Sequence, residues 1–305
     1  MKRETQSFYQ QTVTRAVQRV VDGLDAALDL GALAKSASLS AFHFHRVFRG
    51  MVGETALELH RRLRLERAAW CLVETDSPVT TIAFDAGYET HEAFTRAFRK
   101  RYARSPSEAR KQRPGVDCLR PFQIELAAPS GIHFRPEGFA ALEIQFTQGE
   151  SNMNVDITTL DELRVAAVRH VGPYSRISEA FARLGSLAGP AGLIAGDSKM
   201  LAIYHDDPEA TAEAELRSDA GVSVKANAKL PEGLDEHRIV AGRYARMLHV
   251  GPYEQLGDAW SRLLGQWLPA SGERLGDGLS FEIYENTPMD VPKNELRTVL
   301  HVSLA

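Results

Sequence analysis

The sequence predicts a multidomain protein in which an all-α double helix-turn-helix domain precedes an α+β domain built from a duplicated βαββ unit. Three features predict this fold class. Short helical periodicities fill residues 1–112, the string His-Val-Gly-Pro-Tyr at 170–174 returns at 249–253, and charge is unevenly divided. Residues 1–113 carry 19 basic and 13 acidic side chains, whereas the remaining residues carry 17 and 27. A basic front half is typical of a domain that contacts a polyanion.

The front half alternates short helices with tight turns. Apolar residues at helical spacing predict helices over 8–21, 30–37, 41–49, 55–75, 80–86 and 90–102, and Pro106 precedes a final turn. Ser40 and Thr90 stand where the third and sixth helices begin, and both are favoured N-cap residues. Pro78 ends the long fourth helix. The pattern therefore consists of two pairs of short helices separated by one longer helix.

These two pairs, over 30–50 and 80–102, have the form of helix-turn-helix motifs whose second helix is basic. The connecting helix has about 20 residues and is therefore about 30 Å long. One turn of DNA measures ~34 Å. We therefore expect the two second helices to enter two successive major grooves of double-stranded DNA. One chain would then make the contacts that usually require a helix-turn-helix dimer.

Both motifs resemble the DNA-binding domain of the AraC/XylS family of transcription regulators. The first resemblance lies in residues 33–53, including Leu-Ser-Ala-Phe-His-Phe-His-Arg at 39–46. The second and more specific one combines Ala-Gly-Tyr at 86–88, Phe-Thr-Arg-Ala-Phe at 94–98 and Pro-Ser at 106–107. The resemblance implies a DNA-binding domain over 1–112, with double-stranded DNA and RNA polymerase as expected partners.

Helix geometry predicts which side chains contact DNA. On the third helix Phe44, Val47 and Phe48 form an apolar stripe, and on the sixth helix Phe94 and Phe98 do so. The outward faces and their flanks supply the predicted DNA contacts, which are Phe42, His45, Arg46, Arg49, His91, Glu92, Thr95, Arg96 and Lys100.

Within this set, the resemblance places base contacts at Arg46 and Arg96. Arginine can donate two hydrogen bonds to guanine. Glu92 has two interpretations, a contact to cytosine or an interaction with the positive N-terminus of its helix. His43 and His45 are two residues apart and face different sides of a helix, so no metal site is expected. No cofactor is expected either.

Cysteine content and hydropathy predict the compartment. Cys71 and Cys118 form no spaced framework, which is typical of a reducing compartment. The N-terminus leads into no apolar segment, and no stretch reaches the ~18 apolar residues of a membrane span. We therefore expect a cytoplasmic protein without a membrane partner.

Residues 113–153 are rich in proline and glycine. We predict a hinge over 113–120, followed by a second domain over 121–305. Alternating apolar residues predict strands over 122–126 and 142–146. We assign these strands to the second domain.

The second domain contains two repeats, over about 160–225 and 238–305, with an offset of 79 or 80 residues. In each repeat a strand (164–170 or 243–249) ends at Gly-Pro, and a helix follows (175–187 or 254–268). Two strands close each unit (200–205 with 216–224, or 279–285 with 296–304). Two βαββ units predict one antiparallel sheet with both helices on one face.

This duplicated pattern is similar to the GyrI-like small-molecule-binding fold. Behind an AraC-type domain, the arrangement resembles the Rob-type regulators. The resemblance implies a site for lipophilic, often cationic, effectors at the seam between the repeats.

One difference between the repeats bears on function. Glu282 stands where the first copy has Ala202. A carboxylate among aromatic residues favours a cation through charge and cation–π contact. The predicted ligand site consists of Glu282, Tyr284, Tyr174, Tyr253, Tyr204, Phe181 and Trp260. The alternatives are that the aromatic residues form core and turn packing and that Glu282 is a solvated strand residue.

Three functions fit these patterns. The first is a DNA-binding transcription regulator, not an enzyme, whose second domain binds a small effector. The second is a GyrI-like hydrolase or a small-molecule-sequestering protein fused to a DNA-binding module, in which a glutamate and a tyrosine serve as acid and base. The third is an architectural DNA-binding protein whose second domain only docks partners.

Overall fold

The computed structural model describes residues 2–111, 129–136, 144–147, 153–206, 208 and 210–305. The predicted hinge at 113–120 and the predicted strand at 122–126 lie outside these residues. By internal contacts the chain divides into two compact units. The first contains the described residues within Met1–Gln10, Ser38–Gly50 and Gln148–Ala305, and the second those within Gln11–Ala37 and Met51–Thr147. We call them the sheet unit and the helical unit.

The helices before residue 112 form close to their predicted positions. They are α1 (Lys2–Asp22), α2 (Leu30–Ser36), α3 (Ala41–Val52), α4 (Ala56–Glu74), α5 (Val79–Asp85), α6 (His91–Tyr102) and α7 (Pro106–Lys111). The predicted caps are confirmed. Ser40 Oγ accepts a hydrogen bond from the His43 amide at 3.2 Å, and Thr90 Oγ1 accepts one from the Ala93 amide at 3.1 Å. Such caps satisfy amides that the first turn of a helix leaves unpaired.

The core of the helical unit includes one cluster formed by α4, α5, α6 and α7. Its largest members are Leu65, Leu72, Phe94, Phe98 and Tyr102. Gly87 lies in the turn between α5 and α6 at a φ of +80°, a conformation that glycine adopts without steric cost. The apolar stripe predicted for α6 is therefore the face that anchors this helix.

The described part of the strand predicted over 142–146 is not a strand. Gln145 donates its amide to the Ser130 carbonyl, and Thr147 donates its amide to the Met51 carbonyl. Residues 129–136 and 144–147 belong to the helical unit and not to the sheet. Apolar alternation alone does not identify the pairing partner of a segment, which is why this expectation is wrong.

The sheet unit contains eight antiparallel strands in the order β1-β6-β8-β7-β3-β4-β2-β5. The strands are β1 (Val155–Leu160), β2 (Leu163–Val171), β3 (Met200–Tyr204), β4 (Arg217–Ser223), β5 (Asp235–Ile239), β6 (Gly242–Val250), β7 (Phe281–Tyr284) and β8 (Arg297–Ser303). The predicted βαββ repeat lacks one strand. β1 lies before the first predicted strand of the first repeat, and β5 lies before that of the second. β1 pairs with β6 and β5 pairs with β2, so each added strand joins the other repeat.

The helices of the repeats lie on one face of the sheet. They are α8 (Ser178–Ala188) in the first repeat and α9 (Leu256–Arg262) in the second, where a π-helical turn (Leu263–Trp267) leads into α10 (Leu268–Ser271). Ala166, Val168 and Leu184 form part of the core under α8. Leu201, Ile203 and other residues of the opposite face form a second core. Among the described residues, no helix is both long enough and apolar enough to cross a membrane.

Candidate ligand site and nucleic-acid interface

The duplicated His-Val-Gly-Pro-Tyr string forms a structural turn in both repeats. His170 Nε2 lies 3.0 Å from the Pro173 carbonyl oxygen, and His249 Nε2 lies 3.3 Å from the Pro252 carbonyl oxygen. Each histidine ring thus contacts the backbone of the turn that follows its strand. A 3₁₀ turn and then a helix come directly after this turn. The string therefore positions the strands and helices that carry the site.

The symmetry of the duplication centres on the pair β3 and β7. These strands are antiparallel, and Ala202 lies directly opposite Glu282. The two residues are also equivalent in the repeats, 80 positions apart. Side chains directly opposite in such a pair have Cβ atoms about 5 Å apart. Two buried carboxylates at this distance could not both ionise, so an alanine opposite Glu282 leaves a single charge at the centre.

Glu282 is buried, with only 2% of its surface exposed. Trp260 Nε1 donates a hydrogen bond to Oε1 at 2.6 Å, and the Tyr284 hydroxyl donates one to Oε2 at 2.7 Å. Burial raises the pKa of the Glu282 carboxyl, against the lowering effect of the hydrogen bonds from Trp260 and Tyr284 and of the nearby Arg46 charge. A carboxylate in this environment is stabilised further by any cation that approaches it.

Aromatic rings surround this carboxylate. The Tyr204 and Tyr284 hydroxyl oxygens are 3.2 Å apart, which joins equivalent residues of the two repeats. Edge-to-face contacts link Tyr174 to Tyr204 at 4.9 Å, Phe181 to Tyr284 at 5.6 Å, and Tyr253 to Tyr284 at 5.4 Å between ring centroids. These five rings are partly exposed. The seven predicted ligand-site residues thus lie together, and their contact with a ligand stays a prediction.

On α6, the predicted DNA-contacting side chains lie away from the core. Phe94 and Phe98 are fully buried, whereas Glu92, Arg96 and Lys100 are exposed. The two remaining predicted contacts on this helix, His91 and Thr95, are partly exposed. This placement suits DNA binding, and the contacts themselves stay predictions.

On α3, the predicted DNA-contacting side chains are differently placed. Phe42 and Arg46, which we placed on the outward face of α3 or its flanks, are only 3% and 7% exposed, and their contact with DNA stays a prediction. The Phe42 ring contacts Trp260 edge to face, with centroids 5.3 Å apart. Arg49 pairs with Asp258 at 2.7 Å, and His45 is partly exposed. The sequence pattern indicates only the apolar stripe of α3. In the structure Phe42 and Arg46, which lie outside that stripe, also pack within the sheet unit.

Gly50 is a contact residue that the sequence pattern did not reveal. A Cβ atom at this position would lie 2.0 Å from the Ser261 carbonyl oxygen and 2.7 Å from the Gly265 Cα. Both glycines stand inside helical segments, where glycine is unfavourable and often marks a close backbone approach. That feature of the sequence could have indicated a helix–helix contact.

Comparisons with known proteins agree with this architecture. A family described as "Helix-turn-helix domain" matches residues 33–112, and a family described as "GyrI-like small molecule binding domain" matches residues 153–304. A DNA-binding domain followed by a small-molecule-binding domain defines a transcription regulator with an effector domain. The chain belongs to the AraC-type helix-turn-helix family and carries a GyrI-like domain in its C-terminal half, which confirms both predicted domain types.

The similar relatives each match one part of the chain. Regulatory protein SoxS of Salmonella typhimurium is 32% identical over 102 residues, covering 33% of this chain and 95% of SoxS. The DNA gyrase inhibitor of Yersinia enterocolitica is 35% identical over 128 residues, covering 40% of this chain and 80% of the inhibitor. The solved EcmrR C-terminal domain aligns with a TM-score of 0.44 at 20% identity, covering 50% of this chain and 98% of that domain.

Proposed function

We propose that the GyrI-like domain binds a lipophilic organic cation at Glu282 and that this binding regulates DNA recognition. The buried carboxylate at the centre of the duplication carries the proposal. Burying an ionised carboxylate is costly unless a cation pairs with it. The partly exposed rings of Tyr174, Phe181, Tyr204, Tyr253 and Tyr284 offer apolar surface and cation–π contacts beside it.

We further propose that α3 and α6 are the DNA-contacting helices and that they occupy two successive major grooves. The helix between them, α4, has 19 residues and is therefore about 28 Å long, close to the ~34 Å turn of DNA. The protein would work in the cytoplasm, with RNA polymerase as a further partner at the promoter. We assign the Glu282 site to binding and not to catalysis, because the matched domains bind DNA and small molecules.

The charge preference of the site is tested with two probes of nearly equal size and opposite charge. Tetraphenylphosphonium is expected to bind the full chain at least about 100-fold more tightly than tetraphenylborate, because only the cation pairs with Glu282. Isothermal titration calorimetry in sodium buffer, where both probes dissolve, measures the two affinities. Equal affinities would show that the site does not select cations.

DNA contact through α6 is tested with Arg96→Ala. A DNA sequence selected from a random library by the parent protein serves as the probe. The variant is expected to bind it about 5- to 150-fold more weakly, the range for loss of one bidentate base contact. The control, Arg176→Ala, removes the same charge from an exposed residue of the sheet unit. Parent-like affinity of Arg96→Ala in fluorescence anisotropy would refute the role of α6.

A further inference from the structure

We propose that α3 is an internal competitor of the effector, since Phe42 and Arg46 dock where the cation would bind, and that the effector releases α3 for DNA. This inference rests on the proposed function and adds the regulation of its site. The part of α3 that docks, up to Gly50, belongs to the same compact unit as the sheet.

The chemistry around Arg46 matches the chemistry that the site would offer a cationic ligand. The Arg46 guanidinium carbon lies 3.7 Å from the centroid of the Phe42 ring, a cation–π contact. That ring contacts Trp260, whose indole donates its hydrogen bond to Glu282. A positive charge, aromatic rings and the buried carboxylate thus already lie together. Arg46 is also one of the charges that act on the Glu282 carboxyl.

Further contacts along α3 hold it against the elements that carry the site. His43 Nε2 lies 2.9 Å from Ser280 Oγ, next to the start of β7. Burial lowers the pKa of His43 to about 4, so its ring is neutral at neutral pH. Further along the helix Arg49 pairs with Asp258 of α9, and Gly50 approaches the backbone at Ser261. The contact therefore extends from Phe42 to Gly50, about two turns of the helix.

Docking and DNA binding exclude each other for α3. Arg46 is one of the predicted base contacts, and an arginine that is 7% exposed cannot reach a base edge. A cation that binds at Glu282 and displaces Phe42 and Arg46 from Trp260 would therefore raise the affinity for DNA. By thermodynamic reciprocity, DNA would raise the affinity for the cation by the same factor.

The variant Gly50→Ala tests docking without changing a predicted ligand or DNA contact. The added methyl group would overlap the Ser261 backbone, while alanine favours the helical conformation of α3 itself. Without any cation, Gly50→Ala is expected to bind the selected DNA at least tenfold more tightly than the parent. Tetraphenylphosphonium is expected to raise the DNA affinity of the parent but not that of the variant. Gly185→Ala in α8 is the matched control, because a methyl group there meets no atom within 4 Å.

A second variant tests the same contact without adding volume. Asp258→Asn removes the partner of Arg49 and is expected to tighten DNA binding about two- to fivefold, the effect of a solvent-exposed ion pair. Parent-like DNA affinity of both variants would overturn the docking mechanism, even where the cation binds. Failure of the parent to bind the cation would instead refute the proposed effector class, and the DNA measurements on the variants would still decide whether α3 docks.

Discussion

Replacing Arg62 with methionine is expected to lower the free energy of unfolding by about 3–5 kcal/mol. Arg62 donates Nε and Nη2 to Glu54, at 2.9 and 2.6 Å, and Nη1 to Glu66 at 2.8 Å. All three side chains are 9–11% exposed. Methionine fills a similar volume but leaves two buried carboxylates without their cation, and an uncompensated buried charge is costly.

The effect should depend on pH in a defined direction. Burial tends to raise the pKa of Glu66, but the hydrogen bond from His133, the charge of Arg62 and the Phe134 amide outweigh it, so this pKa is lowered. Such a group stabilises the fold above the ordinary carboxyl pKa, and this stabilisation is lost as pH falls through the folded-state value. The difference between parent and Arg62→Met should therefore shrink in acid.

Urea denaturation at several pH values measures both effects. Arg61→Met is the matched control, because Arg61 is the neighbouring residue and is exposed. A loss below 1 kcal/mol for Arg62→Met at neutral pH would show that the network contributes no more than a surface ion pair does.

This network also shows why sequence alone could not place residues 129–136. Ser130 donates its hydroxyl to Glu54, the Ile132 carbonyl accepts from Arg62, and the Phe134 amide donates to Glu66. The partners are about 70 positions apart in the sequence. Charges on a helix are visible in a sequence, but a contact between distant segments has no periodicity that could predict it.

The parts of the fold that sequence did predict are governed by local chemistry. Helical periodicity, with caps such as Ser40 and Thr90, located the helices before residue 112 to within a few residues, except that α1 begins earlier than predicted. The offset between repeats located six strands and indicated Glu282 as the position where symmetry is broken. β1 and β5 escaped prediction because most of their residues are exposed or partly exposed, which leaves no clear apolar alternation. The burial of Phe42 escaped it because Trp260, which contacts its ring, lies more than 200 positions away, and Arg46 stacks on that same ring.

Replacing Glu282 with glutamine is expected to weaken binding of tetraphenylphosphonium by about 2–4 kcal/mol, a factor of about 30–1,000. Glutamine keeps the size of the side chain but removes its charge. Calorimetry on the full chain measures the loss. Glu285→Gln is the matched control, because this carboxylate lies just beyond the end of β7 and is 41% exposed. Parent-like binding by Glu282→Gln would refute the assignment of the cation site.

The same substitution should stabilise the fold at neutral pH. Because the pKa of Glu282 is raised mainly by burial, the folded protein holds this proton more tightly than the unfolded chain does. The resulting stability is present in acid and is lost as pH rises from the ordinary carboxyl pKa through the folded-state value. Glutamine does not titrate, so the stability of Glu282→Gln relative to the parent should increase from acidic to neutral pH. If the melting temperatures of the parent and of Glu282→Gln changed in parallel between acidic and neutral pH, this expectation would be contradicted.

The variant also separates cation binding from DNA binding. If Arg46 docks beside Glu282, removing the carboxylate weakens that docking as well as the binding of the cation. Glu282→Gln should then bind DNA more tightly than the parent without a cation and respond less when the cation is added. A protein that needed the charge only to hold its fold would instead lose stability and DNA affinity together. The two explanations therefore predict changes of opposite sign in stability and in DNA affinity. Measuring both quantities on Glu282→Gln distinguishes a residue that holds the cation and the docked α3 from one that only holds the fold.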